Sequence, residues 1–224
     1  MKRKEKSIAQ SYIEVIIVAL VIALGLRAFL VQAYKIPTKS MEDSLWAGDF
    51  VLVNKLTYNF TDPKPGDIIV FKYPLNPSKD FIKRCIATEG QTIQIIDKGL
   101  YVDGKRVGNA KHLDDPHWEK FSDSQIYPAE YSGRDNFGPV QVPPGQFFVL
   151  GDNRDNSSDS RDWGFLDRKY IKGKAFVIYW SWKQDAKSPK FESPYIFPLV
   201  KIFLHYLVNF PTHIRWERIG KIVK

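Results

Sequence analysis

Residues 36–55 read IPTKSMEDSLWAGDFVLVNK, a turn with proline, serine and glycine that leads into a short apolar run. The same alternation of turn and run continues along the chain, through DIIVFKY, FIKRCIA, QTIQII, QFFVLGD and KAFVIYWSW. Short runs rich in Val, Ile and aromatic residues and bounded by Gly, Pro or Asp are typical of β-strands. Asp103-Gly104, between LYV and KRV, is typical of a type I′ hairpin. The pattern therefore predicts a mainly β domain.

This β domain is predicted to extend over residues 34–195, with one irregular stretch inside it. Residues 109–138 are rich in Asp, Ser, Pro and His and have neither strand nor helix periodicity. Because polar stretches without periodicity are typical of loops, we interpret residues 109–138 as an insertion.

An apolar segment precedes the β domain. Residues 8–31 are mostly apolar and include Glu14 and Arg27 near their two ends, and ~20 such residues span a bilayer. The preceding MKRKEK is basic, and basic flanks stay on the cytoplasmic side. We therefore predict a cytoplasmic tail over residues 1–11 and a single transmembrane anchor over residues 12–33, with the β domain outside the plasma (inner) membrane. Two alternatives remain open: a cleaved signal peptide ending in Val-Gln-Ala, and a buried helix of a soluble protein.

Residues 196–224 form a tail that is both basic and apolar. Pro198 and Pro211 bracket an apolar stretch that is too short to span a membrane. We interpret it either as an amphipathic helix at the membrane interface, with Trp216 among the lipid headgroups, or as a helix packed on the β domain.

The net charge of +8 lies mainly at the two ends of the chain. Residues 1–10 hold four basic groups and one acidic group, residues 201–224 hold five and one, and residues 34–200 are nearly neutral. Basic ends beside apolar segments favour contact with the lipid bilayer, whereas nucleic-acid binding needs a basic stripe on the folded body. The single cysteine, Cys85, excludes an intrachain disulfide and a cysteine-rich metal site.

Ser40 and Lys83 are the first candidates for chemistry. Histidine first occurs at residue 112, outside the motifs, so the residues alone leave open which group would accept the proton of a Ser40 nucleophile. Lys83 lies in FIKRCIA, where strand alternation places it on one face with Phe81 and Cys85. Apolar surroundings disfavour the ammonium ion, and lowering a lysine pKa from about 10.4 to about 7 requires roughly 4–5 kcal/mol.

A third motif, GDNRDNSSDSRDWG, covers residues 151–164. Its acidic and hydroxyl residues alternate as in a calcium loop, but Ser160 stands where such a loop needs glycine and Leu166 where it needs a bidentate glutamate. We therefore interpret the motif as a scaffold of hydrogen-bonded Asp, Arg and Ser side chains.

In this order, the motifs resemble those of the type I signal peptidases, also called leader peptidases. The resemblance rests on IPTKSM, GDIIVFKYP, FIKRCIATEGQTI and GDNRDNSSDSRDWG and covers most of residues 27–182. It implies an all-β catalytic domain of coiled antiparallel sheets, held by an N-terminal transmembrane helix. It also implies endoproteolytic removal of signal peptides from exported preproteins near the secretion translocon, with no cofactor and no metal.

The resemblance assigns a role to each motif residue. Ser40 is the nucleophile of a Ser-Lys dyad and Lys83 is its general base. The Ser40 backbone N–H and the Thr38 hydroxyl stabilise the oxyanion. The supporting residues are Ser157, which orients Lys83, Asp159 and Arg161, which brace their loop, and Asp152, which pairs with Arg84. Shallow pockets for the small residues of Ala-x-Ala-like cleavage sites are lined by Tyr34, Ile36, Leu45, Phe81 and Ile82.

Two positions depart from the family pattern. The family often has proline at the position of Asp43 and a small residue at the position of Lys39. Lys39 is a second amine beside Ser40, and we expect it to be solvated, with Lys83 still the base.

Three other functions fit parts of the sequence. A Ser-Lys processing peptidase with a narrow client, such as a pilin or a conjugation protein, has the same motifs. An inactive, membrane-anchored β domain that serves as a binding module is a second alternative, although the joint presence of Ser40, Lys83 and Ser157 argues against it. A Ser-His hydrolase is the third, and it is disfavoured because histidines 112, 117, 205 and 213 lie outside the motifs.

Overall fold

The structure, a computed structural model, describes residues 12–20, 25, 30–107, 135–183 and 212–223. Within these residues the chain forms two antiparallel β-sheets, which confirms the predicted mainly β fold. The strands are β1 (Val31–Lys35), β2 (Asp49–Asn54), β3 (Ile68–Lys72), β4 (Asp80–Thr88), β5 (Thr92–Ile96), β6 (Gly99–Val102), β7 (Lys105–Arg106), β8 (Phe137–Gln141), β9 (Gln146–Leu150), β10 (Leu166–Asp167) and β11 (Ile171–Ser181). One-turn α-helices occupy Thr57–Phe60 and Ser160–Trp163, and 3₁₀ turns occupy Arg168–Tyr170 and Trp216–Arg218.

The larger sheet has seven strands in the order β1-β2-β11-β3-β4-β9-β10, and it curls. Alternate residues of β2 are buried, whereas β3 has four consecutive buried residues because both of its faces are covered. Register shifts in β4 and β11 mark β-bulges, which bend these strands.

The loop between β1 and β2 crosses one face of this sheet. Its buried residues Met41 and Leu45 belong to a core cluster that also contains Val53 of β2, Val70 of β3 and Ile82 of β4. Because the cluster spans these strands, the loop is brought from the β1 edge toward β4. This packing decides which side chains of β4 the loop can contact.

The smaller sheet has the order β7-β6-β5-β8. Asp103 and Gly104 both have positive φ, 51° and 74°, at the turn between β6 and β7, as a type I′ turn requires. The predicted insertion ends earlier than residue 138, because Phe137 is buried and pairs with Ile95 of β5. Residues 108–134, the rest of that insertion, lie outside the described residues.

The end of the predicted anchor is also corrected. Residues 31–33 lie in β1, where they pair with β2, so the strand begins inside the range 12–33. Residues 12–20 are helical, and much of the remaining predicted anchor and the cytoplasmic tail lie outside the described residues. In the part of the chain that the structure describes, no helix combines the length and apolar character needed to cross a bilayer.

The β domain includes residues beyond its predicted C-terminal boundary at residue 195. Residues 212–223 pack on the sheet rather than forming a separate tail, because Val223 joins a core cluster with Met41 and Val51 and Ile214 is buried. The stretch between Pro198 and Pro211, for which an amphipathic helix was considered, lies outside the described residues.

Candidate active site

Ser40 lies in residues 36–48, the connection between β1 and β2, which we call the Ser40 loop. Two backbone hydrogen bonds close the base of this loop. The Ile36 N–H donates to the Asp49 carbonyl and the Gly48 N–H donates to the Ile36 carbonyl, each over 2.8 Å. The Ser40 side chain is 9% exposed, so it lies at the border between core and solvent.

The backbone of the Ser40 loop explains one departure from the family pattern. Asp43 has φ of +93°. Proline is fixed near −65° and cannot adopt this conformation. The loop therefore accommodates Asp43 in a backbone geometry that a proline at this position would prevent.

Lys83 projects from β4 toward the Ser40 loop. Its Nζ lies 2.7 Å from Ser40 Oγ, and the side chain is only 4% exposed. The Nζ also lies 5.5 Å from the centre of the Phe81 ring. The structure thus places an almost fully buried amine in hydrogen-bond contact with a serine hydroxyl.

The surroundings of Lys83 change its acidity. Burial lowers the pKa of the Lys83 ammonium to about 8, although the carboxylates of Asp159 and Asp152 act in the opposite direction. The guanidinium of Arg161 adds to the lowering. A pKa near 8 leaves roughly a tenth of the Lys83 side chains neutral at pH 7, and a neutral amine can accept a proton.

Thr38 lies near the same hydroxyl. Its Oγ1 is 3.3 Å from Ser40 Oγ, and the Thr38 side chain is exposed. Either hydroxyl can donate in this contact. The Thr38 hydroxyl therefore lies within hydrogen-bond distance of the Ser40 hydroxyl.

Asp159 organises the loop of residues 151–164. Its fully buried carboxylate accepts hydrogen bonds from the Gly151 N–H (3.0 Å) and from Arg161 Nε and Nη2 (both 2.8 Å). The same side chain caps the helix Ser160–Trp163 by accepting from the Arg161 N–H. These donors occupy the Asp159 oxygens, so its carboxylate serves as a structural brace.

Gly151 brings this loop against the Ser40 backbone. A β-carbon added at Gly151 would lie 2.2 Å from Ser157 Oγ and 2.5 Å from the Ser40 carbonyl oxygen. The Asn153 N–H donates to that same Ser40 carbonyl over 3.2 Å. Ser157 is buried in this contact region, and its hydrogen bond to Lys83 stays a prediction.

Arg84 connects three parts of the site. It donates to both carboxylate oxygens of Asp152 over 2.7 Å, the bidentate geometry expected for a strong ion pair. It also donates to Ser44 Oγ of the Ser40 loop (2.9 Å) and to the Gly66 carbonyl (2.7 Å). Arg84 therefore joins the Ser40 loop to the loop of residues 151–164.

The five predicted pocket residues do not all share one cluster. Tyr34, Ile36, Leu45 and Ile82 belong to or pack against one core cluster, whereas Phe81 packs against another and stacks on Tyr73 with ring centres 4.2 Å apart. The division follows from strand geometry, because neighbouring residues such as Phe81 and Ile82 point to opposite faces. That these residues form substrate pockets stays a prediction.

A buried ionic cluster lies beside the Ser40 loop, and it does not follow from any motif of the sequence. Asp49, at the start of β2, is fully buried with Arg215 and Arg218, which follow it by more than 160 residues along the chain. The sequence contains only a weak signal, the two arginines placed three residues apart in RWER. No local pattern identifies Asp49 as their partner.

Comparisons with known proteins agree on one family. The family model described as "Signal peptidase, peptidase S26" matches residues 9–180. The chain is 37% identical to a signal peptidase I of Aquifex aeolicus over 88% of this chain and 92% of the relative. It is 38% identical to a signal peptidase I of Bacillus caldolyticus, over 75% of this chain and 90% of the relative. A solved signal peptidase I from Enterococcus faecalis is 29% identical, with a TM-score of 0.39, over 51% of this chain and 97% of that one.

Proposed function

This chain belongs to the signal peptidase family, peptidase S26, and we propose that it is a membrane-bound serine endopeptidase that removes signal peptides from exported preproteins. The observation that carries the proposal is the contact of 2.7 Å between the buried Lys83 Nζ and Ser40 Oγ. Membership of the family makes the chain a serine peptidase. The contact supports a specific chemistry, a Ser-Lys dyad.

In this mechanism neutral Lys83 accepts the hydroxyl proton as Ser40 Oγ attacks the carbonyl carbon of the scissile bond. The oxyanion that forms is stabilised by the Ser40 backbone N–H and the Thr38 hydroxyl. When the tetrahedral intermediate collapses, Lys83 gives its proton to the departing amine, and the signal peptide remains as an ester on Ser40. Water, activated by the again neutral Lys83, then hydrolyses the ester.

The surrounding residues keep the dyad in place. The buried pair of Asp159 and Arg161 fixes the loop against the Ser40 carbonyl, and the pair of Asp152 and Arg84 ties that loop to β4. In our proposal Ser157 orients the Lys83 amine. These contacts account for a rigid reaction centre whose two reacting atoms start within hydrogen-bond distance.

We propose that the substrate is cleaved after a small residue at an Ala-x-Ala-like site. Shallow apolar pockets exclude bulky side chains sterically, and the lining that we propose consists of Tyr34, Ile36, Leu45, Phe81 and Ile82. The arrangement in the membrane is a cytoplasmic N-terminus, a single anchor that ends before β1, and an extracytoplasmic β domain. Ser40 then lies close to the bilayer surface, where preproteins leave the translocon.

The experiment uses the full chain in liposomes with a model preprotein that has alanine at both small-residue positions. A matched preprotein has phenylalanine immediately before the cleavage site, and liposomes with the Ser40→Ala variant serve as the blank. We expect cleavage of the first preprotein only, with the new N-terminus identified by mass spectrometry. Absence of cleavage contradicts the peptidase proposal, and equal cleavage of both preproteins contradicts the pocket proposal. The same assay is repeated with several unrelated preproteins, and cleavage of only one of them indicates a narrow-client enzyme.

The pKa of Lys83 predicts the pH dependence of this activity. Because only the neutral amine is a base and its pKa is lowered to about 8, kcat/KM should rise about tenfold per pH unit below pH 8 and level off above it. The measurement is kcat/KM between pH 6 and pH 10 with a peptide substrate that has no ionisable side chains. A profile that is flat from pH 6 to pH 9 contradicts a titrating lysine base.

Thr38→Val should lower kcat by about 10²-fold and leave KM nearly unchanged. The reason is that the valine methyl cannot donate to the oxyanion, and loss of one such donor costs roughly 3–4 kcal/mol in other proteases. Thr38→Ser retains the hydroxyl and is the matched control, with kcat close to that of the wild type. Equal kcat for the Val and Ser variants would remove Thr38 from the oxyanion hole.

A further inference from the structure

Residues 212–223, which we call the C-terminal segment, lie beside β11. The Arg215 N–H donates to the Ser181 carbonyl over 3.1 Å and the Gly220 N–H donates to the Ile178 carbonyl over 2.8 Å. The segment thus lies beside residues 178–181 of β11, whereas β3 pairs with residues 171–174 of the same strand. This placement directs two arginine side chains toward the Ser40 loop.

Arg218 contacts both the Ser40 loop and Asp49, the first residue of β2, through its guanidinium group. Its Nη2 donates to Asp49 Oδ2 (2.6 Å) and to the Ser44 carbonyl (2.9 Å), and its Nε donates to Asp49 as well (3.1 Å). The guanidinium carbon lies 4.3 Å from the centre of the Trp46 ring. One 3% exposed side chain therefore binds the carboxylate of Asp49 in β2 together with a carbonyl and an indole of the Ser40 loop.

Arg215 holds the end of the same loop. Its Nη2 donates to the Ala47 carbonyl (2.7 Å) and the Trp182 carbonyl (3.0 Å), and its Nε donates to Ser181 Oγ (2.7 Å). Ser181 Oγ in turn donates to Asp49 Oδ1 over 2.6 Å. The two arginines and Asp49 form one connected network at the base of the loop.

We propose that Arg218, assisted by Arg215, is a positioning residue that sets the place of Ser40 relative to Lys83. This inference rests on the proposed function, since it assigns a role in the same reaction. Ser44 connects the two arginines, because its carbonyl accepts from Arg218 while its hydroxyl accepts from Arg84, the partner of Asp152. The loop is thus fixed from the C-terminal segment on one side and from β4 on the other.

The geometry of arginine is essential to this role. A planar guanidinium donates to the Asp49 carboxylate and the Ser44 carbonyl at fixed angles, whereas a lysine ammonium is a flexible point charge. A displacement of about 1 Å between reacting groups costs about 10²-fold in rate. We therefore expect that a positive charge at residue 218 is enough to keep the protein folded, whereas the wild-type kcat requires the planar guanidinium group.

Arg218→Lys and Arg218→Ala separate these two effects in the full chain. We expect Arg218→Lys to retain a melting temperature close to that of the wild type with a kcat about tenfold lower and KM unchanged. Arg218→Ala leaves Asp49 buried without this partner, so we expect a lower melting temperature and a kcat about 10- to 100-fold lower. All rates are measured at a temperature at which circular dichroism shows each variant fully folded.

Arg168→Ala is the matched control, because Arg168 fastens another loop in a similar way. It pairs with Asp62 and donates to the carbonyls of Tyr58 and Thr61, none of which contacts Ser40. We expect this variant to lose stability and retain the wild-type kcat. The positioning role is overturned if Arg218→Lys has the wild-type kcat, or if Arg168→Ala loses as much rate as Arg218→Ala at an equal loss of melting temperature.

A second readout makes this test independent of the proposed substrate. The rate at which a serine-reactive probe acylates Ser40 should fall in Arg218→Lys by a factor similar to that for kcat. A wild type that is acylated by the probe and cleaves no preprotein contradicts the proposed function alone. Equal acylation rates of the wild type and Arg218→Lys contradict the positioning role alone. If Arg218→Ala does not fold, the kcat and the acylation rate of Arg218→Lys, compared with those of the wild type, test the positioning role.

Discussion

Lys83→Met is expected to lower turnover of a preprotein by at least about 10³-fold, because the Ser40 hydroxyl loses the group that removes its proton. Methionine has a similar length and no charge, so it fits the buried site of Lys83 without leaving an unpaired ion. The fold should therefore persist. The measurement is kcat by gel shift of the preprotein, with circular dichroism as the check on folding.

Lys39→Met is the matched control for this variant. Lys39 is the residue before Ser40, and its side chain is exposed. Because the exposed Lys39 side chain takes no part in the buried contact between Lys83 Nζ and Ser40 Oγ, its removal should change kcat by less than about threefold. Substantial turnover by Lys83→Met, or equal loss in Lys39→Met, would contradict Lys83 as the base.

Gly151→Ala should reduce kcat by about 10²-fold. The added methyl group would lie 2.2 Å from Ser157 Oγ and 2.5 Å from the Ser40 carbonyl oxygen, so the loops must separate. Separation moves Ser40 away from Lys83, and small misplacements of reacting groups cost orders of magnitude in rate. The measurement is kcat at a temperature at which the variant remains folded.

Gly104→Ala tests whether any glycine replacement has this effect. Gly104 has φ of +74° at a hairpin turn, and no neighbouring atom lies within 4 Å of an added β-carbon. The replacement strains the backbone and should cost about 1 kcal/mol of stability or more, with kcat unchanged. A Gly151→Ala variant with the wild-type kcat would show that the two loops tolerate separation.

The strands of this protein are predictable because their signals are local. Alternation in FIKRCIA predicts that Phe81, Lys83 and Cys85 share a face, and the observed burial of Lys83 agrees with apolar surroundings. The turn at Asp103-Gly104 is predicted for the same reason, since both residues tolerate positive φ. In each case a few neighbouring residues contain the information.

The strand β1 is less predictable because its sequence, VQAYK, follows directly on an apolar run. Hydrophobicity alone therefore extends the predicted anchor to residue 33. The strand forms because its backbone pairs with β2, as in the pair of Ala33 and Leu52, and this pairing depends on tertiary structure that periodicity does not report.

The contact between Ser40 and Lys83 was inferred from family resemblance rather than from any pattern in the residues. The two positions are 43 residues apart, and the curl of the sheet and the packing of the Ser40 loop bring them together. The pairing of Asp49 with Arg218 has an even larger separation, 169 residues. A buried ion pair between distant residues leaves no periodic trace in the sequence.

The position of the arginine network along the chain has a consequence for synthesis. Ribosomes make Ser40, Asp49 and Lys83 well before Arg215 and Arg218. Until translation supplies these two arginines, the nascent chain holds the Asp49 carboxylate without them, and burial of an uncompensated charge is unfavourable. We therefore expect the Ser40 loop to reach its final position beside Lys83 only after Arg218 has been synthesised, so that activity appears after most of the β-strands have been made.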